Sequence, residues 1–237
     1  AGSDIIFADT FGVNRRRLWG SAINMEDFMA SAIRNARRAS RLQNTIGFYI
    51  SPVGGFYEPV GDLTDEFAKN YYGAFARCGE EGGAEVVMLE NFWDMHDIRN
   101  AIEAIKDNTK LAVMAAVPYG DRNFNLSGLR TEDMVTMLED AGVDAVGHCC
   151  APDIENSWKK AEAIANKAKL PIFFKPNCCQ PNPTTFKYDL PPEKFAELML
   201  PYITELGYRI VGGCCGTTPE YIKILREKVL TNTEKEI

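Results

Sequence analysis

Six of the seven cysteines in this chain stand as three adjacent pairs, Cys149-Cys150, Cys178-Cys179 and Cys214-Cys215, and each pair closes a run with the character of a β-strand. Thiols gathered at strand ends point to a thiolate metal site, because the anionic sulfur is the ligand. Neighbouring strand residues face opposite sides of a sheet. A pair therefore aims both sulfurs at one ion only where the pleat breaks, and the glycines of Gly212-Gly213-Cys214-Cys215-Gly216 permit that break. His148 precedes the first pair, where an imidazole can touch a substrate, shift a proton or bind the metal, or serve as a satisfied structural histidine. The seventh cysteine, Cys78, falls within a helical pattern and reads as a small apolar filler.

Composition narrows the class of protein. With 237 residues, 46% hydrophobic and 25% charged, the chain has enough interior for one large globular domain spanning 1–237. A formal charge of −7 argues against a nucleic-acid partner, which clustered Lys and Arg would have to hold. The one basic run, Arg15-Arg16-Arg17 with Arg34, Arg37, Arg38 and Arg41 beyond, reads as solvated or subunit-contact surface, with an anionic-ligand patch as the alternative. Nothing suggests a membrane span. No charged segment followed by an apolar stretch opens the chain, so the expected location is the cytoplasm, where cysteines serve metals or catalysis more often than disulfides.

The elements that must position these thiols alternate. Short apolar runs at Asp4 to Thr10, Ile46 to Ser51, Glu85 to Glu90, Lys110 to Val117, Ala145 to Cys149, Pro171 to Lys175 and Arg209 to Val211 suit parallel strands covered on both faces. Helical patterns follow at Met25 to Ala39, Thr64 to Glu81, Asp94 to Asp107, Thr131 to Asp140, Asn156 to Ala168, Pro192 to Leu206 and Pro219 to Val229. This is an α/β pattern, either a doubly wound sheet or a (β/α)8 TIM-type barrel one unit short. The first strand-to-helix turn lacks the dinucleotide glycine pattern, no phosphate-binding Walker loop is present, and the polar residues gather at strand C-terminal ends. That rim is where barrels keep their active sites, so the barrel is the expected architecture.

The segment Val211-Gly212-Gly213-Cys214-Cys215-Gly216-Thr217-Thr218-Pro219-Glu220 resembles the signature of the homocysteine S-methyltransferase family, the homocysteine-binding domain of cobalamin-dependent methionine synthase and betaine-homocysteine methyltransferase. Asp9-Thr10-Phe11-Gly12-Val13-Asn14, Ser51-Pro52-Val53-Gly54, Leu89-Glu90-Asn91-Phe92, Gly147-His148-Cys149-Cys150 and Pro176-Asn177 agree in order and spacing, from the first residue to about Leu230. The resemblance implies a zinc ion (Zn²⁺) on three thiolates, falling on Cys149, Cys214 and Cys215, with His148 in the place of a family asparagine and Cys150 as the alternative first ligand. It gives Glu90 the amino group of homocysteine, and Asp9, Thr10 and Asn177 parts in the substrate pocket; a turn-forming role is the alternative for Asn177. His148 is the candidate for a catalytic part beside Glu90. Cys178 and Cys179 replace small family residues and read as fillers, as a redox pair or as alternative ligands. His96 opens a helix in a segment that lacks the glycine of the cobalamin-binding Asp-x-His-x-x-Gly motif, so no corrinoid site is read there.

The implied activity is zinc-dependent methyl transfer to a small-molecule thiol, homocysteine giving methionine. The donor is left open among a corrinoid on a separate protein, a methylated sulfonium such as S-methylmethionine, and a betaine. Two other readings stand beside it: a methyltransferase of a corrinoid system with a different acceptor or donor, and a non-catalytic zinc or redox-sensing module. Family members begin with a strand and a glycine-rich loop ahead of the segment matched by Ala1-Gly2-Ser3, so the first β/α unit is expected to be missing from this chain. The uncovered edge makes a homo-oligomer an expected partner arrangement.

Overall fold

A computed structural model describes residues 1–14, 23–117 and 128–233. The Arg15-Arg16-Arg17 run lies outside the described residues. Strands and helices alternate: β1 (Ile5–Ala8), α1 (Met25–Ala39), β2 (Thr45–Ile50), α2 (Asp65–Glu81), β3 (Val86–Leu89), α3 (Met95–Asn108), β4 (Ala112–Ala116), α4 (Thr131–Asp140), β5 (Ala145–Cys149), α5 (Trp158–Lys167), β6 (Ile172–Lys175), α6 (Pro192–Thr204), β7 (Ile210–Val211) and α7 (Pro219–Thr233). Strand order follows chain order, which among the described residues gives seven parallel strands, an α/β fold of the TIM-barrel type with one unit fewer than eight. No helix among the described residues is long and apolar enough to cross a membrane.

The chain forms two compact units, one on 4–117 with 137–144, the other on 1–3, 128–136 and 145–233 of the described residues. In the first unit β1 to β4 pair in register, Ile5 with Thr45, Gly47 with Val86 and Val86 with Ala112. Side chains fix the helix starts: Asn24 accepts from the Asp27 amide, Thr64 from Phe67 and Asp94 from His96, each satisfying a donor that the helix leaves unpaired. Arg37, one of the basic residues read as surface, donates to the Asn44 and Gly83 carbonyls and to Glu85, tying the end of α1 to the strands behind it. Fully buried Phe48 of β2 packs on Phe75 of α2, with ring centroids 6.3 Å apart.

In the second unit β5, β6 and β7 are parallel, with His148 opposite Phe174, Cys149 opposite Lys175, and Phe174 opposite Val211. An aromatic layer packs here: the Phe174 ring stacks on His148 at 4.2 Å and on Tyr202 of α6 at 4.5 Å, and the Tyr208 hydroxyl donates to the Ala161 carbonyl of α5. The predicted helix from Asn156 begins instead as a 3₁₀ turn, Glu155–Ser157, where the Ser157 hydroxyl bonds back to the Asp153 carbonyl.

Gly79 of α2 faces the Phe48 ring so closely that an added Cβ would lie 2.2 Å from it. Alanine in a helix interior normally gains about 1 kcal/mol over glycine. Here overpacking against an immobile ring reverses the sign, and Gly79→Ala is expected to cost about 1 kcal/mol or more, read from urea unfolding.

Candidate metal centre

Three strand ends of the second unit, those of β5, β6 and β7, bring the thiols together. Cys149 is the last residue of β5 and is buried; Cys150 is the first residue beyond it. At Cys150 the backbone turns to φ +55°, a left-handed conformation rare outside glycine and asparagine. The pleat therefore breaks at Cys150, and its Sγ lies 3.1 Å from Sγ of Cys214. Cys214 Sγ is in turn 3.9 Å from Cys215 Sγ. Tetrahedral zinc with Zn–S bonds of about 2.3 Å separates its sulfurs by about 3.8 Å. Cys150 and Cys214 can both offer Sγ to one ion, and the 3.9 Å between the Cys214 and Cys215 sulfurs is the spacing of two thiolates on one zinc.

The close approach to Cys214 belongs to Cys150, the alternative, and not to Cys149. Register explains the difference. Cys149 is still in the ladder, paired with Lys175, whereas Cys150 lies one residue past the strand, where its amide bonds to the Lys175 carbonyl at 2.9 Å and its backbone turns to φ +55°.

The Cys214-Cys215 turn is closed by Thr217, whose amide and hydroxyl both donate to the Cys214 carbonyl, at 3.2 and 2.7 Å. Gly216 has φ +79°, and a Cβ there would meet the Tyr188 ring at 2.3 Å and Cys178 Sγ at 2.8 Å, so only glycine fits. The segment after β6 lies alongside. Cys214 N–H donates to the Pro176 carbonyl at 2.7 Å, and Cys178 N–H to the Cys215 carbonyl at 2.9 Å. Asn177 Oδ1 accepts from the Cys215 amide at 3.1 Å, and its Nδ2 donates to the Cys150 carbonyl at 3.4 Å.

Cys178 is fully buried, and burial together with its partner Cys179, Sγ to Sγ 3.7 Å, pushes its thiol up to about 11. Two tyrosines outside the cysteine motifs touch these sulfurs. Lost solvation and then the charge and hydrogen bond of Cys215 push the Tyr188 phenol up, and Tyr221 is hydrogen-bonded to Cys178 while donating to the Leu190 carbonyl. Tyr221 occupies the first turn of α7, a position readable from the sequence; Tyr188 lies in a loop where no periodicity marks it.

His148 is buried in the aromatic layer, stacked on Phe174, and among the described residues neither ring nitrogen has a hydrogen-bond partner. Desolvation, and then the charge of Lys160, hold its pKa well below the usual imidazole range, so it is a neutral ring packed among aromatics. In the first unit, Thr10 is fully buried and its hydroxyl is used twice on one residue, donating to the Tyr49 carbonyl and accepting from the Tyr49 amide, both at 2.8 Å. Asp9 beside it is exposed. Glu90 is 3% exposed at the end of β3, and the next residue, Asn91, takes φ +62° to leave the strand. A buried carboxylate at a strand end is an acid placed to meet a cation or a donor.

Residues 1–229 match the family model described as homocysteine S-methyltransferase. The methionine synthases of Mycobacterium tuberculosis and Mycobacterium leprae are each 26% identical over 94% of this chain, which spans 20% of their length. The metallated form of the Escherichia coli homocysteine methyltransferase MmuM superposes with a TM-score of 0.78 at 18% identity, covering 96% of this chain and 80% of that one. Its apo form gives 0.72. At this identity the structural match shows the shared fold.

Lys160 of α5 is 8% exposed, and desolvation lowers its pKa from 10.5 to about 8, against a smaller opposing pull from Cys149. Its folded value lies below its unfolded value, so the unfolded chain binds more protons between them. The contribution to stability is complete above pH 10.5 and is lost as pH falls through about 8. Urea unfolding of metal-free protein from pH 7 to 10.5 is expected to show Lys160→Met more stable than the parent at pH 7. The difference should shrink with rising pH, at up to about 1.4 kcal/mol per pH unit.

Proposed function

Because the chain belongs to the homocysteine S-methyltransferase family, we propose that it catalyses zinc-dependent methyl transfer to the sulfur of homocysteine, with Cys150, Cys214 and Cys215 as the metal-holding thiolates. The observation that carries this reading is the meeting of Cys150 and Cys214 at the ends of β5 and β7, with Cys215 at bonding-compatible spacing. A free thiol has a pKa of about 8.5 and is mostly protonated at neutral pH, whereas the nucleophile is the thiolate. Zinc on three thiolates keeps a fourth position for an acceptor thiol and favours its ionised form.

The chain's own residues supply the rest. Three thiolates would more than offset the charge of a bound zinc ion and so weaken its hold on a fourth sulfur. The hydrogen bond between Tyr188 and Cys215 orients one of them from behind. Attack forms the new sulfur–carbon bond as the methyl group leaves its donor in line, and the acceptor's proton passes to solvent before the transfer. The resemblance gives Glu90 the ammonium of homocysteine, which a buried carboxylate would bind by a charge-assisted hydrogen bond. Methylated corrinoid, S-methylmethionine and betaine are the donor classes to test.

Elemental analysis of protein purified without oxygen is expected to give about one zinc per chain. Cys150→Ser, Cys214→Ser and Cys215→Ser should each lose most of it together with methyl transfer, by more than the roughly 10- to 100-fold typical of residues behind a ligand. Cys149→Ser should keep its zinc. Loss of zinc in Cys149→Ser with retention in Cys150→Ser would reinstate Cys149, and a folded, reduced parent without zinc would sink the reading. Glu90→Gln is expected to raise the KM for homocysteine while zinc content holds.

A further inference from the structure

The amide of Asn177 is consumed by the backbone of the residues that carry the thiols. Its Oδ1 accepts from the Cys215 N–H at 3.1 Å and its Nδ2 points at the Cys150 carbonyl at 3.4 Å. This orientation is the only one that works, since exchanging O and N would set oxygen against a carbonyl and N–H against N–H. The main chain of the same segment reaches both ways as well: Asn177 N–H donates to the Ala151 carbonyl at 3.0 Å, just past Cys150, and the Pro176 carbonyl accepts from Cys214 N–H at 2.7 Å.

From this we infer that Asn177 is a positioning residue that ties the loop after β5 to the loop after β7 and so sets the separation of the Cys150 and Cys214 sulfurs. The substrate contact expected from the sequence is a different role for the same amide. Cys150 is one residue past β5 and Cys214 is the third residue past a two-residue strand; Thr217 closes the Cys214 turn on itself, but neither bond it makes reaches Cys150. A third loop that hydrogen-bonds to both supplies the missing constraint. Alanine at 177 removes both side-chain bonds. Aspartate keeps the acceptor for Cys215 but sets a carboxylate oxygen against the Cys150 carbonyl.

The inference rests on the zinc reading for its consequence but not for its geometry, so it is tested with and without metal. In chelator competition, Asn177→Ala and Asn177→Asp are expected to bind zinc roughly 10- to 100-fold more weakly than the parent. In metal-free protein, diamide takes two electrons and two protons from the Cys150 and Cys214 thiols to join them as a disulfide, and both variants are expected to form it about tenfold more slowly. Asn182→Ala, in the same loop but capping the Thr184 and Thr185 amides, should match the parent in both assays. Parental zinc affinity and parental cross-linking in either folded Asn177 variant would overturn the inference. So would unchanged metal binding with a raised KM for homocysteine, which would make Asn177 a substrate contact. A parent that binds no zinc while the variants still cross-link slowly would leave the positioning role standing and remove the zinc reading instead.

Discussion

Two cysteine side chains that follow one another along a strand cannot point the same way, and the candidate centre depends on how this chain escapes that constraint. It does so by ending the ladder. Cys150 leaves β5 through a left-handed residue, and Cys214-Cys215 leaves β7 through a turn closed by Thr217 and opened sterically by Gly216. Each escape is local, but neither has a fixed direction without a neighbour. The segment after β6 lies between them and is bonded to both, so three consecutive strand ends act as one structure.

That arrangement puts the chemistry on loops and the rigidity behind them. The aromatic layer of His148, Phe174, Tyr202 and Tyr208 ties β5 and β6 to α6. A histidine whose nitrogens have no partners is costly to ionise there, and the ring serves the layer as an aromatic. Thr10 shows the same principle in the other unit, because a hydroxyl that both donates to and accepts from Tyr49 is holding β1 to β2. Residues at strand ends thus divide into those that build the rim and those that project from it, and residue type alone does not separate the two.

The protection of the sulfurs follows from the same packing. Cys178 is buried and kept protonated by its surroundings, while Cys215 is exposed and Cys150 and Cys214 are partly so. Thiols of identical intrinsic chemistry thus differ in solvent access, and with it in how readily they ionise.

The sequence by itself determined the alternation of strands and helices, the family, and the C-terminal strand ends with their cysteines as the candidate site, because hydrophobic period, capping residues and the Gly-Gly-Cys-Cys-Gly segment are all local signals. Only the tertiary structure decided that Cys150 and not Cys149 meets Cys214, that His148 faces an aromatic layer, that Tyr188 and Tyr221 touch the sulfurs, and that the Asn177 amide is spent between two loops. Those outcomes turn on register and on single backbone dihedrals. A change of one residue in where a pleat breaks sends a side chain to the other face, and nothing in the neighbouring residue types records where that break falls.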